Sequence, residues 1–318
     1  MKKILVTGGF GFIGSNFINL LSEEHEVFNI DKLSYASDVS FIKSDKVTNF
    51  VFDLEDLSKV RSVFNNHGPF DLIFHFAAES HVDNSIANPI AFTLANVVGT
   101  HNLVECFRLQ KHGKFVHVST DEVYGHLELT DPSFTEETPL APRSPYSASK
   151  ASSDLIVKSY FETFGCNINI TRCCNNFGKH QHVEKLIPKT ITNILRGNKV
   201  PLYGKGNNIR EWILVEDHCK AIYEVGLKGR AGEVYNIGSG VELTNYQIIE
   251  QICNIFGKKI EDVIEYVEDR KGHDFRYSIN SSKTQSELGW KAICCNESTF
   301  EDHLAETIEW YKTNLTNN

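Results

Sequence analysis

A tyrosine and a lysine one helical turn apart, Tyr146-x-x-x-Lys150, stand about 24 residues after the run Thr120-Asp121-Glu122. A phenol beside an ammonium is what alcohol oxidation by hydride loss needs: the phenol takes the hydroxyl proton, and the cation lowers the phenol's pKa and can hold a cofactor ribose. Oxidation alone needs only that pair. The adjacent carboxyls add a second acid and base, which suits a reaction that eliminates or moves a group once the alcohol has become a ketone.

Such chemistry needs a hydride carrier, and the chain opens with a turn suited to one. Thr7 to Gly14 reads T-G-G-F-G-F-I-G between the apolar run Ile4-Leu5-Val6 and a helix-like stretch from Ser15 to Leu21. Gly8, Gly11 and Gly14 permit a tight turn and close backbone approach, so that a pyrophosphate can sit on the helix N-terminus, and Phe12 and Ile13 in the same turn are expected cofactor contacts. A second apolar run, Glu26 to Ile30, ends in Asp31. A carboxylate there accepts both ribose hydroxyls and repels a 2′-phosphate, which favours NAD over NADP.

These residues need a scaffold of alternating strands and helices. Strand-like runs at Ile4–Val6, Val27–Ile30, Asn49–Phe52, Leu72–Phe76, Phe115–Val118 and Asn169–Thr171 alternate with helical patterns, two of them long, about Pro89 to Gln110 and Tyr146 to Phe164. This is the signature of an α/β fold with a Rossmann-type doubly wound parallel sheet. Beyond Arg172 the alternation weakens: Asn175 to Arg210, rich in Asn, Gly, His and Lys, reads as a loop-built part of a smaller mixed α/β substrate lobe. Glu233 to Ile237 reads as a strand returning to the sheet and Phe300 to Tyr311 as a closing helix. The expected division is interleaved, with residues 1–174 and 213–238 in the dinucleotide domain and 175–212 and 239–318 in the lobe.

At 318 residues with 41% hydrophobic content, the chain can bury both cores and is not disordered. No apolar run approaches the roughly 20 residues of a membrane helix, and the first strand begins where a signal peptide would lie. Eight cysteines without a C-x-x-C imply reduced thiols, so a cytoplasmic protein is expected. A net charge of −9 argues against nucleic acid. His75, His81 and His101 lack metal-like spacing and read as packing or hydrogen-bonding residues; no metal is expected.

Several longer motifs resemble those of the extended short-chain dehydrogenase/reductases, and within them the nucleoside-diphosphate-glucose 4,6-dehydratases. They are Asp31 to Ala36 (DKLSYA), His75 to Asp83 (HFAAESHVD), Ser119 to Gly125 (STDEVYG), Tyr146 to Lys150 (YSASK), Asn175 to Gly178 (NNFG), Glu184 to Pro188 (EKLIP) and Asp269 to Asp274 (DRKGHD). The resemblance runs from Lys3 to about Tyr311. It implies a lyase with bound NAD that converts UDP-glucose or dTDP-glucose to the 4-keto-6-deoxy sugar, by oxidation at carbon 4, loss of water across carbons 5 and 6, and hydride return to carbon 6. Tyr146 and Lys150 would serve the oxidation, Thr120 would hydrogen-bond the 4-oxygen, Glu122 would take the carbon-5 proton and Asp121 would protonate the leaving 6-hydroxyl. The resemblance also implies cofactor contacts from Lys32, Ser34, Asp53, Leu54, Ala77, Ala78 and Ser80, and substrate contacts from Ser80, Asn175, Glu184, Lys185, Arg210, Asn245, Arg270 and His273. Arg210 and Arg270 would clamp the diphosphate. A homodimer through the two long helices is expected.

The chain departs from the dTDP-sugar pattern at Asn84, where Arg is usual, at Ala95 and at Glu211. Asn84 is closer to UDP-glucose dehydratases, and thymine and uracil both stay open. An epimerase needs only the hydride step and lacks the Asp121–Glu122 pair; a UDP-glucuronate decarboxylase carries Ser at the Asp121 position. A silent NAD-binding sensor or scaffold would have a degraded Tyr146 or Lys150, and both are intact.

Overall fold

Ile4, Leu5 and Val6 are all fully buried, as a parallel strand covered on both faces requires. In the computed structural model, which describes residues 1–269 and 274–315, they form the centre of β1 (Lys3–Thr7). The strands that follow are β2 (Glu26–Asp31), β3 (Thr48–Val51), β4 (Leu72–His75), β5 (Lys114–Thr120), β6 (Ile168–Cys173), β7 (Asn175–Phe177), β8 (Val200–Tyr203), β9 (Ile209–Leu214), β10 (Val234–Ile237), β11 (Glu242–Thr244) and β12 (Ile264–Val267).

Seven of them pair in the order β10-β6-β5-β4-β1-β2-β3, all parallel. Strand alternation sorts their side chains into two cores. Ile4, Val6, Phe74 and Val116 pack with Phe17 and Ile18 of the helix Phe12–Leu21 on one face. Leu5, Ile73, Phe115 and Ile170 pack with Leu103, Phe107 and Val157 on the other. The chain runs outward from β1 through β2 to β3, then returns to β4 on the other side of β1. That reversal opens a crevice at the carboxyl ends of β1 and β4, where doubly wound sheets bind ligands.

The six strands expected in the first half are present, each within a residue or two of its expected bounds. The stretch expected as loops is more ordered than composition suggested. It holds β7, β8, the start of β9 and the helix Leu186–Arg196. Ile187, Ile191 and Ile194 recur at helical spacing and pack against Phe300, Leu304 and Ile308 of the helix Glu297–Leu315. Polar residues on the outer face had hidden that stripe. The lobe pairs β7 with β9 in parallel, β9 with β11 antiparallel, and β8 with β12 in parallel. Another departure lies near the end of the chain. Tyr277, Ile279, Leu288, Trp290 and Ala292, assigned by the sequence division to the lobe, belong to the core under the seven-stranded sheet.

Two local devices aim the site. Ser144 caps the helix Pro145–Phe164 in a reciprocal pair with Ser147, with Pro at its first position, so Tyr146 sits in the first turn and Lys150 in the next. The first long helix runs as Pro89–Phe92, a π-helical turn Thr93–Val98 and Gly99–Gln110. The wider turn carries buried Asn96, whose Nδ2 donates to the Ser149 hydroxyl at 2.9 Å and to the Glu79 carbonyl at 3.0 Å. Asn96 thereby fastens the segment after β4 to the Tyr146 helix.

Candidate active site

Thr120 ends β5 and caps the 3-10 turn Asp121–Tyr124, its Oγ1 accepting from Glu122 N at 3.3 Å. The turn is held from below by a buried chain. Asp154 pairs with Arg172 at 2.9 Å, Arg172 donates to the Tyr124 hydroxyl at 3.0 Å, and that hydroxyl donates to Asn236 at 2.8 Å. Asp121 is only 2% exposed. Its Oδ1 accepts from the Thr120 hydroxyl at 3.2 Å, while Oδ2 has no hydrogen-bond partner among the described residues. Burial, with Glu122 and Glu211 nearby, pushes its pKa well above the usual carboxylate range. The shift favours the protonated form of Asp121.

Tyr146 and Lys150 face the same turn. Lys150 Nζ donates to the Val118 carbonyl at 2.8 Å, and burial lowers its pKa to about 8 against the pull of Asp154. The sequence reading had Lys150 depressing the Tyr146 pKa. Without bound ligands the balance runs the other way: burial, reinforced by Glu122 and Cys173, raises the phenol well above its ordinary value. In this state Tyr146 is a protonated phenol, and its activation must come with the bound ligands.

The carboxyl ends of the strands form the other half of the cleft. The helix Phe12–Leu21 starts with Gly11 as N-cap and no side-chain cap, which leaves its first N–H groups open to an anion. Gly8 has φ +75, and a Cβ there would lie 2.7 Å from Ala77 N; at Gly14 one would lie 2.2 Å from the Gly8 carbonyl. At Gly11 the nearest atom would be 3.3 Å away. Asp31, at the end of β2, accepts from Phe10 N at 2.9 Å and Leu33 N at 2.8 Å. Lys32 bridges Glu79 at 2.9 Å and Asp53 at 3.4 Å. A bare helix N-terminus followed by an acid at the second strand fits a dinucleotide such as NAD.

The cleft has a cavity volume of about 320 Å³ and brings together Thr120, Asp121, Glu122, Tyr146 and Lys150 with Gly8, Gly11, Phe12, Ile13, Gly14, Asp31, Lys32, Ser34, Asp53, Leu54, Ala77, Ala78 and Ser80. Asn175, Glu184 and Lys185 line it too, with Lys185 Nζ donating to the Ser80 carbonyl at 3.1 Å. Arg210 and Asn245 are not among the lining residues. The Arg210 guanidinium lies over the Tyr277 ring at 4.3 Å and donates to the carbonyls of Ile209, Asp274 and Phe275. Asn245 begins the helix Asn245–Ile255. Arg270 and His273 lie outside the described residues. Sequence reasoning missed Ser37, Cys173, Cys174, Asn176, Gln181 and His182, which also line the cleft; the available signal was adjacency to Asp31, Asn175 and Glu184.

The chain matches the family described as GDP-mannose 4,6 dehydratase over residues 5–307. It is 43% identical to the dTDP-glucose 4,6-dehydratase of Haemophilus influenzae, over 99% of each chain. Among solved structures, the dTDP-glucose 4,6-dehydratase of Streptomyces venezuelae, determined with NAD bound, superposes with a TM-score of 0.91 at 44% identity, covering 98% of this chain and 97% of that one. The UDP-glucose 4-epimerase of Thermotoga maritima shares the fold at a TM-score of 0.90 with 28% identity, covering 98% and 99%.

Proposed function

This chain belongs to the GDP-mannose 4,6 dehydratase family, and from that premise we propose how its cleft works and which nucleotide it takes. The protein is an NAD-dependent lyase that converts a nucleoside-diphosphate glucose to the 4-keto-6-deoxy sugar, a step of deoxysugar biosynthesis. Our reading of its residues rests on one observation: a buried Asp121 with one oxygen lacking a partner among the described residues stands in the same cleft as Tyr146 and Lys150. A 4-epimerase has no use for that acid.

Gly8, Gly11, Gly14, Asp31 and Lys150 would hold NAD, which when bound supplies a reversible hydride sink. Tyr146 takes the proton of the sugar 4-hydroxyl, with Thr120 hydrogen-bonded to the same oxygen. The resulting ketone acidifies carbon 5, whose proton Glu122 removes and later returns. Asp121 donates its proton to the 6-hydroxyl, which leaves as water. Tyr146 gains one proton and Asp121 loses one, so passage of a proton from the phenol to Asp121 through solvent resets both groups without net acid or base. Ser80, Asn175, Glu184 and Lys185, which line the same cleft, would meet the sugar nucleotide.

The base we propose is thymine. Full-length relatives at 42 to 44% identity carry the dTDP-glucose activity, and Asn84, the residue that had pointed toward uracil, donates to the Tyr35 hydroxyl at 3.0 Å. Its identity thus has a local use unrelated to the base. We also propose a homodimer through the first long helix and its neighbour, because Ile86, Ile90, Leu94 and Val98 form an exposed apolar row beside exposed Leu155. A cytoplasmic location belongs to the same reading, supported by eight free cysteines.

The test is turnover of dTDP-glucose and UDP-glucose in parallel, with products weighed. Loss of water from dTDP-glucose without net NADH supports the reading. Stoichiometric NADH with a product that keeps its 6-oxygen would falsify it.

A further inference from the structure

Tyr35 joins the two halves of the cleft. It lies in the loop after β2, four residues beyond Asp31, and its hydroxyl donates to the Glu184 carboxylate, 3.2 and 3.1 Å from the two oxygens. The same hydroxyl accepts from Asn84 Nδ2 at 3.0 Å. The Tyr35 ring meets His182 edge-on at 5.4 Å, and Glu184 also faces His81 at 3.8 Å and His182 at 3.7 Å. A second contact joins the same two loops: the His180 ring stacks on Phe41 with centroids 4.2 Å apart. The loop is fixed at its other end by Asp31, whose Oδ1 accepts from Leu33 N at 2.8 Å and from the Ser37 hydroxyl at 3.2 Å.

We infer that Tyr35 is a positioning residue that transmits the state of the dinucleotide half to the sugar half, its hydroxyl setting the Glu184 carboxylate once a ribose at Asp31 has fixed the loop. The inference rests on the function proposed above and assigns a role to a residue that touches neither reacting centre. A hydroxyl-to-carboxylate bond has the direction and strength to hold an acceptor in one orientation. Because the loop is shared, the effect must be reciprocal: sugar nucleotide bound at Glu184 must slow the loss of cofactor, through the same hydroxyl.

Holoenzyme with Tyr146→Phe, which binds without reacting, is the probe. Release of bound NAD into a chase is timed with and without saturating dTDP-glucose, in that background and in Tyr146→Phe/Tyr35→Phe. We expect dTDP-glucose to slow cofactor release ~5- to 10-fold in the first, a coupling of ordinary size, and less than ~2-fold in the second. Otherwise wild-type enzyme carrying Tyr35→Phe alone should show a raised KM for dTDP-glucose with kcat nearly unchanged and an unaltered melting midpoint. A merely structural tyrosine would lower the midpoint or kcat and leave the ratio of release rates as it was. An equal slowing with and without the Tyr35 hydroxyl would overturn the inference while leaving the dehydratase reading intact. Failure of both dTDP-glucose and UDP-glucose to bind Tyr146→Phe would overturn the dehydratase reading, and the inference with it.

Discussion

The two halves of the cleft are built from different material. The dinucleotide half uses backbone at the carboxyl ends of neighbouring strands, with a bare helix N-terminus, Gly8 packed on Ala77 and Asp31 at the end of β2. The sugar half uses side chains drawn from distant segments, Ser80 after β4 and Asn175, Glu184 and Lys185 from the lobe. Backbone sites tolerate change wherever a Cβ fits and fail abruptly where it does not, because main-chain atoms cannot move aside. Side-chain sites change by degrees, since each contact is one hydrogen bond among several. On the proposed reading, binding of the common cofactor would lie in the rigid half, and discrimination between sugar nucleotides in the adaptable one.

The largest effects are expected where the halves meet. Tyr146→Phe removes the first base, so turnover should fall by ~10³-fold and rapid mixing with dTDP-glucose should show no bound NADH. Asp121→Asn keeps the shape but cannot give the 6-hydroxyl its proton, so turnover should fall ~100-fold while bound NADH absorbance builds up. An Asp121→Asn enzyme that dehydrates at the wild-type rate would reduce Asp121 to a loop carboxylate.

Within the dinucleotide half, alanine at two glycines should behave differently. Gly8→Ala meets both a left-handed φ of +75 and an atom at 2.7 Å. It should lose ~1–3 kcal/mol of stability and purify largely without NAD. Gly11→Ala, whose Cβ would meet nothing closer than the Gly8 carbonyl at 3.3 Å, should cost much less stability, yet also purify with little NAD because that Cβ stands where the pyrophosphate would approach, as absorbance of the denatured supernatant would report. An equal loss of stability at both positions would break the distinction between the tightly packed, left-handed Gly8 and the less crowded Gly11. Asp31 should select NAD over NADP by charge and by lost hydrogen bonds, a difference of about 2–4 kcal/mol if the ribose is desolvated; recovery of mostly NADP from denatured enzyme would place the ribose elsewhere.

The smallest effect concerns Glu211, beneath the sugar half. Burial raises its pKa from 4.5 to about 7, although Gly240 N and Ile279 N each donate to it at 2.8 Å. A raised folded-state pKa means that the protonated form is favoured by the fold. Its contribution is complete below pH 4.5 and is lost as pH rises through about 7. The melting midpoint should fall by on the order of a few degrees between pH 5 and 8. Glu211→Gln should lower stability throughout but flatten that slope; an unchanged slope would assign the pH dependence to another group.

Much of this was legible in the sequence because it is written in local spacing. Alternating apolar runs gave the sheet, since a strand buried on both faces needs continuous apolar residues. The spacing of Tyr146 and Lys150 put both on one helical face, while the Ser144 cap and Pro145 start that aim that face were found only in the structure. The glycine turn followed from positions where no side chain fits. The helix Leu186–Arg196 was less legible, because its apolar stripe is interrupted by Pro188, Thr190 and Thr192, and tertiary packing on Phe300 and Leu304 completes it.

Sequence by itself determined which groups stand one turn or one strand apart, because covalent geometry and backbone periodicity fix such distances whatever surrounds them. Only the tertiary structure decided the charge states and the long-range partners. Burial raises the pKa of both Tyr146 and Asp121 because it removes the water that would stabilise their anions. Arg210 turns its donors to the carbonyls of Asp274 and Phe275, 64 and 65 residues away, and Tyr35 reaches Glu184 across 149 residues of chain. Desolvation and contacts between remote segments depend on the whole packed molecule, and no local pattern encodes them.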